Sequence, residues 1–326
     1  MIQDMLKTAL PLFLIMGVGL SATNIERRQL PGSPRFPQRC GNALLSPPPF
    51  ITSEDYTKHQ ASKSQPLPGV IVPTYVHVVS ASTSVNLNEA IVIQQLVALN
   101  NGFASTGIQF DLRNFTTNIN ATWATANNTD VEIEMKIALR QGGYDSLNLY
   151  FLSDWNPMYK PLRGFNTSYG VCSYPETRPL TQGFLDYDGC IMNQYTMPGS
   201  PGIEKAPNNI GSVDEGKTAV HELGHWLYLI HVFGGEGEES DCVRDDEVFD
   251  TPLQAFASPI TTRGQPCPPM VLPSCPGVTG SYIGPDNVDN FMDYSSDYCM
   301  NHFTAEQSFR MKSAWAAYRN GRVIGT

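Results

Sequence analysis

The sequence has few basic residues: 21 Lys and Arg against 31 Asp and Glu, for a net charge of −10 at pH 7. No cluster of Lys and Arg stands out along the chain, and a nucleic-acid-binding surface needs one. Beyond residue 20 there is also no apolar run long enough to cross a bilayer. We therefore expect neither a nucleic acid nor a membrane as partner.

The pronounced apolar run of the sequence lies near the N-terminus, at residues 9–20, after Lys7 and before the small residues Ser21 and Ala22. This order of a positive charge, a short apolar run and small residues is typical of a secretory signal peptide. We predict that residues 1–22 are a signal peptide, that cleavage occurs near Ala22, and that the protein is secreted and extracellular.

Cysteines and sequons agree with export. All 7 cysteines follow the apolar run, as expected of disulfide bonds in a secreted protein. Sequons of the form Asn-X-Ser/Thr predict a glycoprotein with surface glycans. They begin at Asn114, Asn120, Asn127 and Asn166.

Histidine is scarce, with 6 residues in 326, yet two of them stand four apart in the segment 221–225, which reads HELGH. Residues four apart share a helix face, so His221 and His225 can both direct a ring nitrogen at one metal ion. By composition, such a match is expected about 0.005 times in a chain of this length. Zinc lowers the pKa of a bound water to about 7, which predicts Glu222 as general base. The alternative is a core helix whose histidines have protein partners.

His231 can be a third ligand only if the helix ends soon after His225. A continuing helix rises about 1.5 Å per residue and would carry His231 roughly 9 Å away, whereas a zinc–nitrogen bond measures about 2 Å. The chain must therefore turn after Leu227. Such turns often need a positive φ at the position of Tyr228, which costs a non-glycine residue about 1–2 kcal/mol. If the helix continues instead, a glutamate from the acidic stretch 236–247 is the competing third ligand.

Residues 23–68 are rich in Pro, Ser, Gln and Arg without periodicity, which is typical of a linker or pro-segment. Seven cysteines cannot all pair within one molecule, and Cys40 in this segment is the best candidate for the odd one. A thiolate held near zinc would keep an enzyme latent until the segment is removed. The alternatives are an unpaired cysteine and a bridge to another molecule.

Hydrophobic periodicity predicts a mixture of strands and helices after residue 69. Predicted strands cover residues 69–80, 108–115 and 147–152, and predicted helices cover residues 88–103, 213–227 and a last helix that starts at Thr304 with Gln307 in a capping box. Residues 131–140 suit either structure, and we favour a helix because two glycines follow. Residues 190–195 predict an edge strand above the cleft, which can pair with an extended substrate peptide.

The stretch from residue 236 to residue 250 is strongly acidic. Such a run is usually a solvated loop, but clustered carboxylate oxygens can also bind calcium. The candidate calcium ligands are Asp245, Asp246, Glu247 and Asp250.

Downstream of the histidines, the segment 290–294 reads NFMDY. It resembles the methionine turn of the metzincin zinc proteases, with Met292 as the apolar floor under the metal. Tyr294 matches the tyrosine that in some metzincins reaches the metal or the transition-state oxyanion. The stretches 39–41, 250–252 and 299–304 make the resemblance closest to the pappalysin-type proteases, and among these to secreted fungal extracellular metalloproteases.

The resemblance implies an α+β, metzincin-like fold for a catalytic domain at residues 69–326. Its N-terminal lobe, about residues 69–231, would hold a twisted mixed five-stranded sheet and two long helices. Its C-terminal lobe, about residues 232–326, would be irregular and end in a helix. One zinc ion would lie in the cleft between the lobes.

The resemblance also implies roles for single residues. It implies zinc ligation by His221, His225 and His231 above Met292, catalysis by Glu222 and Tyr294, and latency through Cys40. The disulfides that it suggests are Cys172–Cys190, Cys242–Cys299 and Cys267–Cys275, out of 15 pairings that sequence alone allows.

The sequence therefore predicts a secreted zinc-dependent endopeptidase, made as a zymogen, that acts as a monomer on protein or peptide substrates. The alternative is a catalytically weak, protease-like binding protein or decoy. Its support is Tyr228, which stands where the family usually has glycine.

Overall fold

The computed structural model describes residue 58 and residues 67–83, 88–155, 169–200, 213–235, 242, 246–261, 263–269, 273–276 and 284–325. The predicted signal peptide lies outside these residues, as does the predicted pro-segment apart from residues 58, 67 and 68. Within the described part, no helix combines the length and apolar character needed to cross a membrane.

Strands and helices alternate in the first part of the chain and become sparse after residue 235. The strands are β1 (Val70–Ser80), β2 (Ile108–Ile119), β3 (Leu147–Leu152), β4 (Gly170–Cys172), β5 (Cys190–Asn193), β6 (Phe233–Gly235) and β7 (Gln254–Phe256). The helices are α1 (Glu89–Gly102), α2 (Ala121–Thr125), α3 (Thr129–Leu139), α4 (Gln182–Tyr187), α5 (Lys217–Trp226) and α6 (Ala305–Tyr318).

The first five strands form one mixed sheet in the order β2-β1-β3-β5-β4. β1 pairs in parallel with β2 and β3, β3 pairs in parallel with β5, and β4 is antiparallel to β5. The predicted mixed five-stranded sheet and α+β class are thus confirmed. All 6 side chains of the central strand β3 are buried, as a strand covered on both faces requires.

Pro73 fits within β1 because of where the neighbouring strand begins. Pairing of β1 with β3 starts at Thr74, opposite Leu147, so Pro73 lies in the part of β1 that pairs with β2 alone. A residue without a backbone N–H is tolerated where only one neighbour needs the ladder.

Local sequence signals account for the helix boundaries. The Asn88 side chain accepts a hydrogen bond from the Ile91 amide at the start of α1. The helix favoured for residues 131–140 is confirmed as α3, which begins after Asn128. The capping box of Thr304 and Gln307 is present at the start of α6.

The strand predicted at residues 190–195 is present as β5, but its predicted position at the edge of the sheet is wrong. β5 lies between β3 and β4, all 4 of its side chains are buried, and residues 194–196 form a 3₁₀ turn. The edge strand is instead β4, whose Cys172 stands opposite Cys190. A strand of three residues is too short to give a periodic signal, so the sequence did not reveal that β5 has a second neighbour.

Of the three suggested disulfides, Cys172–Cys190 is confirmed and the other two are wrong. The structure pairs Cys242 with Cys275 and Cys267 with Cys299. A hydrogen bond between two loops accounts for the pair Cys267–Cys299. The Tyr298 hydroxyl donates to the carbonyl of Gln265 at 3.0 Å and so holds the residues next to the two cysteines together.

The pair Cys242–Cys275 lies beside β7. The Ser274 hydroxyl accepts a hydrogen bond from the Ala255 amide at 2.8 Å, and Cys275 packs against Leu253 and Ala255. This contact brings residue 275 to a small apolar cluster that Cys242 also touches. Such contacts between distant loops cannot be read from cysteine spacing.

Candidate metal centre

The helix α5 carries the HELGH segment, and its side chains from Thr218 to Trp226 are all buried. Its first turn bonds to Asp297, whose carboxylate accepts from the amides of Glu215 at 2.8 Å and Lys217 at 3.4 Å. A carboxylate at this end of a helix is favourable because the backbone amides carry partial positive charge. Burial raises the pKa of Asp297 to about 7.

The helix ends where the third ligand requires. α5 stops at Trp226, and Tyr228 adopts a φ of 82°. The Tyr228 amide donates to the His225 carbonyl at 2.9 Å and the Leu229 amide donates to the Gly224 carbonyl at 2.8 Å, which together form a Schellman motif. The predicted turn after Leu227 is confirmed. A glutamate from residues 236–247 was the competing third ligand only if the helix continued, and the helix does not continue.

The turn brings three imidazoles together. The Nε2 atoms of His221 and His231 lie 3.2 Å apart, those of His225 and His221 3.2 Å, and those of His225 and His231 3.1 Å. All three rings are buried, and within the described residues this is the group of His, Cys, Asp and Glu that could hold a metal ion. Four tetrahedral ligands at about 2.1 Å from zinc lie about 3.4 Å from one another, so the donor set fits zinc.

The outer nitrogens of two rings are fixed by hydrogen bonds. His221 Nδ1 donates to the Phe291 carbonyl at 2.7 Å, and His225 Nδ1 donates to the Leu229 carbonyl at 2.8 Å. The Tyr174 hydroxyl oxygen also lies 3.0 Å from His225 Nδ1. A proton on Nδ1 leaves the Nε2 lone pair for a metal.

Burial also favours the neutral form that ligates metals. Desolvation lowers the pKa of His221 to about 4 and, together with the neighbouring His221, lowers the pKa of His225 to about 3. Neutral imidazole is the ligand form of histidine.

Glu222 is buried beside His221, and the edge strand β4 passes close to it. A Cβ atom added at Gly170 would lie 2.7 Å from Glu222 Cγ, well inside van der Waals contact. A side chain at residue 170 would therefore force the Glu222 side chain to move, and glycine leaves it in place.

Met292 packs against α5 between His221 and His225, and its role as a methionine turn stays a prediction. It is fully buried, and a Cβ atom added at Gly224 of α5 would meet its Sδ at 2.2 Å. The Asn290 side chain accepts a hydrogen bond from the Met292 amide at 2.9 Å and is in turn bonded to Gln307 of α6. The turn and α5 thus pack closely, because Gly224 has no side chain and leaves room for the Met292 sulfur.

Tyr294 packs directly against the histidine cluster. Its ring centroid lies 4.7 Å from that of His231 and 5.6 Å from that of His221. Phe233, which sequence reasoning missed, stacks on His231 at 4.6 Å and contacts Tyr294 at 4.8 Å. Phe233 follows His231 by two positions, but nothing in the sequence gave the orientation of its ring.

Sequence reasoning also missed a buried charge cluster at the C-terminal end of α5, beside Trp226. Asp188 Oδ1 accepts from Trp226 Nε1 at 3.2 Å and from Arg319 Nη2 at 3.1 Å, and Asp188 Oδ2 lies 3.2 Å from Arg140. Burial acts to raise the pKa of Asp188, but the two guanidinium groups and the hydrogen bonds outweigh it and lower the pKa. The four residues are far apart in sequence, so no local pattern predicts the cluster.

The described residues do not test the other two predictions, the latency role of Cys40 and the calcium site. Cys40 and Asp245 lie outside the described part of the chain. Asp246 accepts from Thr251, Glu247 pairs with Arg310 at 3.2 Å, and Asp250 accepts from Thr304 and the Glu306 amide. The calcium site stays a prediction, and these carboxylates already have protein partners.

The chain combines a mixed sheet, three clustered histidines with a glutamate beside them, and a buried methionine that packs against the histidine helix. This combination is typical of a metalloprotease of the metzincin type. The sequence profile of peptidase family M43, described as pregnancy-associated plasma protein-A, matches residues 206–316. The chain belongs to this pappalysin-like family of metzincin metalloproteases and is a metalloendopeptidase.

Two relatives illustrate the similarity. The chain is 36% identical over 253 residues to an extracellular metalloprotease of Arthroderma otae, covering 78% of this chain and 80% of that protein. It is 39% identical over 255 residues to an extracellular metalloprotease of Pyricularia oryzae, covering 77% of each.

Solved structures show a similar fold. Mature mirolysin of Tannerella forsythia in complex with a cleaved peptide matches with a TM-score of 0.54 and 23% identity, over 76% of this chain and 92% of that one. A promirolysin mutant of the same organism matches with a TM-score of 0.55 and 21% identity, over 81% of this chain and 86% of that one.

Proposed function

We propose that the chain is a secreted zinc endopeptidase whose zinc ion, one per chain, is held by His221, His225 and His231. The observation that carries this proposal is the mutual distance of 3.1–3.2 Å between the three Nε2 atoms. When bound, zinc supplies Lewis acidity that polarises the scissile carbonyl and makes a water acidic enough to react near neutral pH.

Glu222 is the general base in this proposal. Its carboxylate takes a proton from the attacking water and gives a proton to the leaving amine nitrogen. Its place next to His221 and its burial under β4 support this role, since a dry site strengthens its interaction with the transferred proton.

Tyr294 donates a hydrogen bond to the oxyanion that develops on the scissile carbonyl. Support comes from its ring, which packs on two of the three histidines. Met292 acts as the apolar floor that fixes the histidine helix from below, because its sulfur fills the space at Gly224.

The zymogen proposal rests on cysteine arithmetic. Of the 7 cysteines, six form three disulfides, which leaves Cys40 without an intrachain cysteine to pair with. The Cys40 thiolate holds the site latent until the segment 23–68 is removed. Exchange of Cys40 for serine should then give activity without cleavage, and a latent Cys40→Ser chain would contradict this role.

Secretion and the substrate class follow the same reasoning. The predicted signal peptide, the three disulfides and the relatives' description as extracellular support an extracellular location. Proteins or peptides are the substrates. The decoy alternative is not favoured, because the turn at Tyr228 forms and the histidines, the glutamate, the methionine and the tyrosine are all present.

The experiment that tests the proposal compares wild type with Glu222→Gln, both as chains lacking residues 1–68, because the pro-segment is proposed to keep the full-length chain latent. The amide has the shape of the carboxylate but cannot accept the proton, so we expect casein hydrolysis to fall by at least about 100-fold. Zinc content should remain that of wild type. Hydrolysis at the wild-type rate by Glu222→Gln would exclude Glu222 as the base.

A further inference from the structure

Tyr228 occupies the left-handed turn that completes the histidine cluster. It is one of three described non-glycine residues with positive φ, together with Ala126 and Glu247. The turn delivers two groups to the site: His231 itself, and the Leu229 carbonyl that accepts from His225 Nδ1 at 2.8 Å. Any change in this turn therefore acts on two ligands at once.

Arg310 of α6 holds this turn from outside the cluster. Its buried guanidinium donates from Nε to the Tyr228 carbonyl at 3.1 Å and from Nη1 to the Glu247 carbonyl at 3.2 Å. One side chain thus binds the carbonyls of two positive-φ residues. Its charge is paired with the Glu247 carboxylate at 3.2 Å.

The Tyr228 ring packs between two other tyrosines. Its centroid lies 5.5 Å from that of Tyr318 on α6 and 6.4 Å from that of Tyr174, both in edge-on geometry. The Arg310 guanidinium carbon lies 5.7 Å from the Tyr228 centroid. The ring is buried, so a glycine at this position would leave a void beside Tyr174.

Tyr174 in turn contacts a metal-site histidine. Its hydroxyl oxygen lies 3.0 Å from His225 Nδ1, and the two ring centroids lie 5.4 Å apart. Contacts to the outer nitrogen of a ligand histidine orient the ring and set its basicity. The Tyr228 ring therefore supports one histidine through Tyr174, while its backbone carries another.

We propose that Tyr228 is a positioning residue for the metal site: its ring, packed between Tyr174 and Tyr318 and held by Arg310, fixes the turn that presents His231 and supports the ring of His225. The proposal rests on the zinc-binding function proposed above. It reverses the expectation from backbone preference alone, because glycine is the residue best suited to a positive φ. Here the ring contributes an order that glycine cannot.

The test measures zinc affinity by competition with a chromogenic chelator, on full-length chains that all keep the same N-terminal segment. We expect Tyr228→Gly to bind zinc about tenfold more weakly than wild type, although it removes the backbone strain. Tyr228→Asn tolerates a positive φ without supplying the ring, and it should show the same loss. Tyr228→Phe keeps the ring and should stay within about twofold of wild type.

Ala126→Gly is the matched control. Ala126 has a φ of 35° at the end of α2, far in sequence from the histidines, so this change relieves a similar backbone conformation elsewhere. Its zinc affinity should equal that of wild type. The visible spectrum of the cobalt-substituted chain gives a second readout, since it reports ligand geometry and should change in Tyr228→Gly and not in Ala126→Gly.

The outcomes separate the two proposals. Unchanged or tighter zinc binding by Tyr228→Gly and Tyr228→Asn, with a wild-type cobalt spectrum, would overturn the role of the ring and leave the zinc site in place. If Tyr228→Gly fails to fold, Tyr228→Asn and Tyr228→Phe still decide. Equal zinc affinity of wild type and the His231→Ala variant would instead overturn the proposed function.

Discussion

The sheet strand β3 and the segment 287–297 both bury most of their side chains, but the buried side chains are of different kinds. β3 has the sequence LNLYFL, with five apolar or aromatic residues among its 6. Between residues 287 and 297 many buried side chains are polar. They are Asn287, Asn290, Asp293, Ser295, Ser296 and Asp297.

The difference shows two ways of holding a site. The sheet supplies a rigid platform through apolar burial, which is not directional. The segment around Met292 has few regular elements, so its backbone groups and polar side chains must find specific partners. For example, Asp293 Oδ1 accepts from the Ser258 amide at 3.0 Å and from Gln254 Nε2 at 3.2 Å. The histidine cluster lies where the two kinds of structure meet, since β4 of the sheet passes Glu222 and the Phe291 carbonyl accepts from His221.

The largest effect on stability is expected in the sheet. Leu149→Ala removes a fully buried side chain and should lower the free energy of unfolding by about 4 kcal/mol. Leu253 lies in the small cluster near β7, so Leu253→Ala should cost only about 2 kcal/mol. Urea unfolding of both variants measures the difference. Equal losses would mean that the two regions do not differ in apolar packing.

Removing a disulfide tests the irregular region. Cys267 and Cys299 close a loop of 32 residues, and the double exchange to serine should cost about 3.5 kcal/mol. Because the sheet does not depend on this bridge, far-UV circular dichroism before the transition should be unchanged, while zinc affinity should weaken. A loss of sheet signal at low temperature would contradict the separation of the two regions.

His77 is a buried polar residue within the apolar sheet, and it tests how burial there changes the pKa of a titratable group. Burial lowers its pKa to about 4, while hydrogen bonding to Asn148 acts in the opposite direction and the charge of Arg140 acts with burial. Between pH 6.5 and 4 the unfolded chain binds a proton that the folded chain does not. Stability is therefore complete above pH 6.5 and falls by about 3 kcal/mol as the pH drops to 4.

The measurement is the pH dependence of urea unfolding for wild type and His77→Gln. The variant lacks the titrating group, and its stability should fall less between pH 6.5 and 4. The same slope in both chains would show that other groups cause the acid sensitivity.

The last predicted effect, as small as that of Leu253→Ala, concerns the polar network around Met292. Asn290→Ala removes the acceptor of the Met292 amide and the partner of Gln307, both buried, and should cost about 2 kcal/mol. It should also weaken zinc binding, because Phe291 next to it holds His221. Thermal unfolding and chelator competition check the two effects. An unchanged zinc affinity would mean that the network stabilises the fold alone.

Sequence reasoning succeeded where the signal was local and periodic. The four longer helices, the first three strands, the capping box at Thr304 and the turn after Leu227 followed from spacing and from the bond length of zinc, whereas the short helices α2 and α4 were not predicted. The family resemblance supplied Met292 and Tyr294. Each of these features depends on residues a few positions apart, or on a motif long enough to be specific.

Most of the features that sequence missed depend on contacts between distant segments. The position of β5 depends on a three-residue neighbour, two disulfides depend on how loops fold against each other, and Tyr174 reaches His225 from 51 residues away. The same holds for Asp188 and Arg319, which are 131 residues apart. No spacing rule encodes such pairs, since their partners are set by the folded topology.

The most direct test of the zinc site is the metal content of purified chains lacking residues 1–68, with wild type beside His231→Ala. We predict one zinc per wild-type chain and a large loss in His231→Ala, together with chelator-sensitive hydrolysis of casein by wild type. Equal zinc content in the two chains would mean that His231 is not a ligand, and it would contradict the three-histidine site.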